Sequence, residues 1–175
     1  MAYSEHFGYK SFDGRRRNQI GIIFEEGKIY TAKGALRPGM YDYDHMNGYH
    51  MSEPLANVFR FFDSKTQGIE VAEVRGFGNC LKFDDEYNDY FDMYVCENLE
   101  VLRFMRRYEY VEKMLHQSEP DILKFISTFD MDENEKRMFS YEFEGNKAIN
   151  KALAYYQYGD KEVYEREAKV LTLRK

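Results

Sequence analysis

The spacing of apolar side chains changes character at Asn98, and that change restricts the fold more than any other feature of the chain. Upstream, short stretches alternate with a period of two, as half-buried strands do. They are Tyr9 to Phe12, Ile20 to Phe24, Lys28 to Thr31, Gly48 to Met51, Ile69 to Val74 and Tyr90 to Cys96. Downstream, Val101, Leu102, Met105, Tyr108, Val111 and Leu115 recur at about 3.6 residues, predicting an amphipathic helix capped by Asn98. The expectation is an α+β protein: a small mixed or antiparallel sheet with a helix in its N-terminal part, then a helical part of about five helices. It divides as an α+β domain over 1–97 and a helical extension over 98–175 packed on it.

Turn residues punctuate both parts. Asp13-Gly14 ends the first strand, Glu25-Glu26-Gly27 joins two strands as a hairpin or bulged turn, and Gly34, Pro38 and Gly39 mark a loop. Ser52 has the character of a helix N-cap, with Glu53 and Pro54 in the first turn and Leu55, Val58, Phe59 and Phe62 on the buried face. Gly76 and Gly78 end the following strand. Among the later helices, Ser118-Glu119-Pro120-Asp121 opens one, and Gly145 and Gly159 close two more at left-handed positions. A last helix is expected from Asp160 to about Leu171.

A chain of 175 residues can bury an ordinary core without staples. No stretch approaches the roughly 20 apolar residues that span a bilayer, and Met1 to His6 lacks the basic and apolar regions of a leader. Cys80 and Cys96 stand in neither a metal-type nor a redox-type spacing, and read as buried free thiols in a reduced cytoplasm. The four histidines are scattered, so neither a metal nor a cofactor is expected. A net charge of −6 argues against general affinity for duplex nucleic acid, because phosphates need a clustered positive face. Direct contact is left to local basic patches.

Aromatic composition points elsewhere: 16 Tyr and 14 Phe accompany no Trp, and tyrosine mixed with carboxylates is suited to recognition surfaces. The densest such segment is Asp84-Asp85-Glu86-Tyr87-Asn88-Asp89-Tyr90-Phe91-Asp92-Met93-Tyr94, with five carboxylates in eleven residues. Carboxylates at this density imitate phosphates, and tyrosines offer flat faces to arginine-rich grooves. The residues singled out for partner binding are Asp84, Asp85, Glu86, Tyr87, Asp89, Tyr90, Asp92 and Tyr94. A solvated loop leading into a core strand is the competing reading.

Other clusters carry less chemistry. Tyr41-Asp42-Tyr43-Asp44-His45, with His50 nearby, has oxygen and nitrogen donors but no metal-site spacing. Asp130-Met131-Asp132-Glu133-Asn134 begins like a calcium loop but has Glu135 and Tyr141 where glycine and a bidentate glutamate are needed, so it reads as an acidic helix N-terminus. No nucleophile elbow, phosphate loop or dinucleotide fingerprint is present. Arg15, Arg16 and Arg17, with Arg103, Arg106 and Arg107 on one helix flank, form candidate phosphate contacts, although a plain charged helix face paired with Glu100, Glu109 and Glu112 is the favoured reading of the second group.

Several of these residues resemble known patterns. Tyr9-Lys10-x-Phe12, Gly27-Lys28-Ile29-Tyr30, Gly48-Tyr49-His50-Met51-Ser52-Glu53-Pro54-Leu55 and Ala72-Glu73-Val74 resemble an uncharacterised domain family frequent in phages and prophages, over roughly residues 9 to 100. Met51 replaces that family's frequent cysteine. More weakly, the order of elements is similar to ADP-ribosyltransferase-like domains; Lys10 stands where their first-strand polar residue would be, and Glu97 is nearest to their late glutamate. Together these features imply a phage or mobile-element counter-defence protein, similar to acidic anti-CRISPR inhibitors. Its partner would be a host defence protein such as a Cas effector or its guide-RNA complex. The alternatives are an enzyme acting on RNA or nucleotides through Tyr9, Lys10, Tyr49, His50, Glu73 and Glu97, and a phage assembly factor. With no established catalytic motif, a binding protein is favoured.

Overall fold

The computed structural model describes residues 3–18, 21–38, 47–60, 68–85 and 90–159. The chain divides into two compact units, 1–110 and 111–175. The first is built on five antiparallel strands: β1 (Ser4–Phe12), β2 (Ile29–Thr31), β3 (Tyr49–Ser52), β4 (Glu70–Asp85) and β5 (Tyr90–Met105). Their order is β2-β5-β3-β1-β4, and β4 also pairs with β5, so the sheet closes on itself.

The β4–β5 hairpin is the frame of that ring. It pairs from Val71 opposite Met105 to Asp85 opposite Tyr90. β1 lies along the other edge of β4, from Phe12 opposite Glu70 to Ser4 opposite Gly78. β3 lies along β5, from Tyr49 opposite Cys96 to Ser52 opposite Met93. Where β1 meets β3, the register holds only Tyr9 opposite Ser52. Gly8 permits that approach, since a Cβ there would collide with the Ser52 carbonyl.

Strand alternation sends one set of side chains inside the ring. Phe12, Phe24, Met51, Ala72, Val74, Tyr94, Cys96, Leu99 and Val101 form this cluster, and each large apolar side chain so buried contributes roughly 1.5–3 kcal/mol. Space is tight: a Cβ on Gly76 would stand 2.6 Å from both the Cys96 and Met51 sulfurs. On the opposite face a 3-10 helix, Leu55–Arg60, covers β1 and β3. Ser11 Oγ donates to the Val58 carbonyl at 2.6 Å, and Asn57 Nδ2 donates to Ser52 Oγ at 2.9 Å.

Five expectations are corrected here. β5 continues to Met105, so no helix opens at Asn98; α1 begins only at Arg107. Register shifts explain the false helical period. Glu73 and Val74 oppose Arg103 and Val101, leaving Leu102 as a bulged residue that is 40% exposed. A second shift at Phe77–Cys80 lets Cys96 and Leu99, three apart, enter the same cluster. β4 likewise runs through Gly76 and Gly78 to Asp85. Ser52 is the last residue of β3, held between Tyr9 and Met93, and not a helix cap. Among the described residues before Phe24 an isolated bridge, Arg17 with Ile23, stands in place of the expected strand, whose first residue, Ile20, lies outside them. Finally, Cys80 and Cys96 are joined as a disulfide, because the register places them directly opposite one another.

In the second unit, α2 (Glu119–Thr128), α3 (Glu133–Glu142) and α4 (Lys147–Ala152) follow α1 (Arg107–Met114), which crosses the boundary between the units. Ser118, Asp132 and Asn146 are N-caps. Asp132 forms a capping box with Glu135, the outcome expected of that acidic run. Phe125 stacks on Phe129 and Phe139 at 4.5 and 5.7 Å. A π turn, Leu153–Gln157, then rotates Gln157 back toward α2. Its Nε2 donates to the carbonyls of Ile126 and Phe129, and its Oε1 accepts from Met131 N–H. Gly145 and Gly159 have φ of 84° and 69°, as their closing positions require. Four α-helices are present among the described residues, against about five expected; the last expected one lies outside them.

Candidate functional site

The register between β1 and β3 is Tyr9 opposite Ser52, and His50 lies two residues before Ser52 on β3. Lys10 bridges the two strands at this point. Its Nζ donates to His50 O at 2.8 Å and lies over the Phe12 ring, 5.9 Å from the centroid. Burial of the ammonium pushes the Lys10 pKa down to about 8. Burial, and then the charge of Lys10, pushes His50 down to about 3, so its imidazole is neutral at physiological pH. The ring is 8% exposed and meets Phe83 edge-on at 5.5 Å. Beside them lies a cavity of about 10 Å³, lined by Tyr9, Lys10, Ser11, Asn18, His50, Met51 and Val58. That is about the room one water molecule needs.

The other residues of the catalytic alternative are distributed around this seam. Tyr9 and Glu73 share a register position on neighbouring strands, and alternation places them opposite the face of Lys10 and Tyr49. Glu73 accepts from Arg103 Nε at 2.9 Å. Arg103 also reaches Glu109 Oε1 at 2.9 Å, which makes a cross-strand and strand-to-helix ion network. Glu97 Oε2 holds the backbone and side-chain nitrogens of Asn79 at 3.2 and 3.0 Å. Tyr49 is half-buried, and burial raises its pKa. Within this set, Lys10 and His50 are linked by a hydrogen bond.

The acidic-aromatic segment occupies the far end of the β4–β5 hairpin, past the point where β1 stops at Gly78. Asp84 is exposed, and its Oδ1 accepts from Asp92 N–H at 3.0 Å. Asp92 is a bulge residue with φ of 56°, a conformation that aspartate tolerates. Its carboxylate pairs with Lys82 at 2.6 Å, and its carbonyl accepts from Glu53 N–H at 3.1 Å. Tyr94 is only 8% exposed. Asp85 and Tyr90 are paired in the ladder, while Glu86, Tyr87 and Asp89 lie outside the described residues, as does the Tyr41 to His45 cluster.

The basic candidates do not form one helix flank, which is a further correction. Arg103 lies on β5, Arg106 follows it, and Arg107 opens α1. Arg106 N–H donates to Glu109 Oε2 at 2.6 Å. In the loop after β1, Arg17 pairs with Asp13 at 2.8 Å. Arg16 stacks its guanidinium 4.1 Å from the Phe104 centroid and reaches Glu70 at 3.4 Å. Arg15 donates its backbone N–H to Asp13 Oδ1.

One cluster was missed in the sequence. His6 stacks on Tyr94 at 3.9 Å, and its Nδ1 lies 3.3 Å from Glu53 Oε1. Burial first, then the Glu53 carboxylate, raises the Tyr94 pKa. His6 and Glu53 are 47 residues apart, so only the alternation of His6 with Gly8 and Lys10 on one face of β1 hinted at the contact. No group of three metal-ligating side chains occurs among the described residues, and none of their helices is long and apolar enough to cross a membrane. No family model, curated protein or solved structure matches the chain.

Proposed function

We propose that the protein is a binding inhibitor that works in the cytoplasm and docks the acidic, tyrosine-rich end of its β4–β5 hairpin on a basic surface of a nucleic-acid-binding partner. A host defence nuclease of the Cas-effector class is the partner that this chemistry and the phage-like motifs favour. The observation that carries the reading is the placement of the acidic segment. β4 extends from Gly78 to Asp85 beyond the reach of β1; Asp84 is exposed on that stretch, and the cation beside it, Lys82, is already engaged by Asp92. Carboxylates so arrayed complement arginine grooves that otherwise take phosphates.

Chemistry on RNA or nucleotides at His50 has less support, since a neutral, enclosed imidazole beside a cavity of about 10 Å³ has no room for a substrate. The test is to titrate the protein into guide-loaded effectors and follow both a stoichiometric complex and DNA binding. Loss of DNA binding at equimolar protein is expected, with complex formation weakened at least about tenfold when Asp84, Asp85, Glu86 and Asp89 are all changed to Lys. A complex indifferent to those four reversals removes the docking surface. Turnover at substoichiometric protein that vanishes in His50→Ala replaces the reading with an enzymatic one, and a stable homo-oligomer with no effector bound replaces it with an assembly role.

A further inference from the structure

We propose that Cys80–Cys96 is a reversible redox site, exchanged with a soluble dithiol, and that its state sets how firmly the distal arm of the β4–β5 hairpin is held. These are the only two cysteines in the chain, and they face each other across the ladder with Cα atoms 4.2 Å apart. Their position is the root of the arm. β1 leaves β4 at Gly78, the register shifts between Phe77 and Cys80, and Gly78 takes a φ of 89°. From Cys80 to Asp85, β4 pairs with β5 and with no other strand among the described residues. β5 is better secured there, because Met93 to Cys96 also pairs with β3. The disulfide therefore ties the less supported strand to the more supported one at the place where backbone pairing is irregular.

Access is unequal, which gives the exchange a direction. Cys96 is fully buried, while Cys80 is only partly buried. A thiolate of the dithiol attacks the Cys80 sulfur; the S–S bond breaks and its electron pair leaves on the Cys96 sulfur, which takes up a proton. The second thiol of the reductant attacks the mixed disulfide and releases Cys80 as a thiol. The protein gains two electrons and two protons, and the dithiol becomes a disulfide. Oxidation by a disulfide of the same class reverses both steps. Disulfides in reducing compartments are characteristically transient in this way. The Cys96 sulfur is packed against Gly76 beside the Met51 sulfur, and as a buried thiol it keeps that place after reduction, so the interior is retained and the loss falls on the arm.

The consequence for docking rests on the function proposed above, but the opening of the arm does not, and its test needs no partner. Full-length protein is treated with oxidised or reduced dithiothreitol, trapped with a maleimide under denaturing conditions, and examined by peptide-resolved hydrogen exchange. The oxidised form is expected to take no label and the reduced form two. Amides of residues 80–85 should exchange at least about tenfold faster after reduction, with 70–77 unchanged. Cys80→Ala should show the fast exchange with or without reductant. Two labels on the oxidant-treated protein, equal exchange of 80–85 in both states, acceleration spread evenly over 70–77 and 80–85, or slow exchange in Cys80→Ala would each overturn the proposal.

Discussion

Lys10 and His50 link β1 to β3 through a side-chain bond to the backbone, and the burial of both works against their charged forms. The pKa of Lys10 in the folded protein, about 8, lies below its ordinary value of 10.5. The unfolded chain thus holds more protons between those limits, and stability rises as pH climbs from about 8 to about 10.5. For His50 the limits are about 3 and 6.5; stability is full above 6.5 and is lost as pH falls toward 3. Urea titrations across pH should show both slopes. Lys10→Met should abolish the alkaline rise, and His50→Gln should remove part of the acid loss while leaving that caused by carboxylates. Neither environment could be read from the sequence, where Lys10 was a polar residue on a strand and His50 a candidate base. Their burial depends on strands 40 residues apart.

At the scale of elements, the expected strands at Tyr9–Phe12 and Tyr90–Cys96 lie within β1 and β5, and those at Lys28–Thr31 and Gly48–Met51 overlap β2 and β3, because alternation and turn residues are local signals. The helix opening at Ser118 and the helix N-terminus in the Asp130 to Asn134 run were legible for the same reason. The second half of β5 was not. Leu102 and the shift near Cys80 interrupt the alternation, and apolar spacings of three and four then imitate a helix. Of the candidate site, the acidic segment was plain in composition, whereas the His6–Glu53 contact and the cysteine pairing depend on register. Two substitutions probe how elements are joined. Gly8→Ala forces a methyl against the Ser52 carbonyl and should destabilise the first unit by about 1–3 kcal/mol, with faster amide exchange at Ser52. Gln157→Ala removes the three hydrogen bonds that fasten the π turn to the end of α2. It should cost about 1–3 kcal/mol, seen as a lower midpoint in thermal melting followed by circular dichroism.

For the whole molecule, acidity and enclosure point in one direction. The chain carries a net charge of −6, its arginines at 16, 17, 75 and 103 are paired with carboxylates, and its interior is filled by side chains. Association by an acidic surface should therefore weaken with salt, and the rate of complex formation should fall several-fold between about 50 and 300 mM NaCl in stopped-flow measurements. The closed sheet has another effect, on the order in which the protein is made. β1 pairs with residues 70–78, and the ring is complete only when β5 has returned to β4 as far as Met105. On the ribosome, β1 can meet β3 only through Tyr9 and Ser52, and it must wait for its long partner, β4, until the chain between Phe12 and Glu70 has emerged. The hairpin of β4 and β5 can form as soon as it is out, and the earlier strands then gather on it.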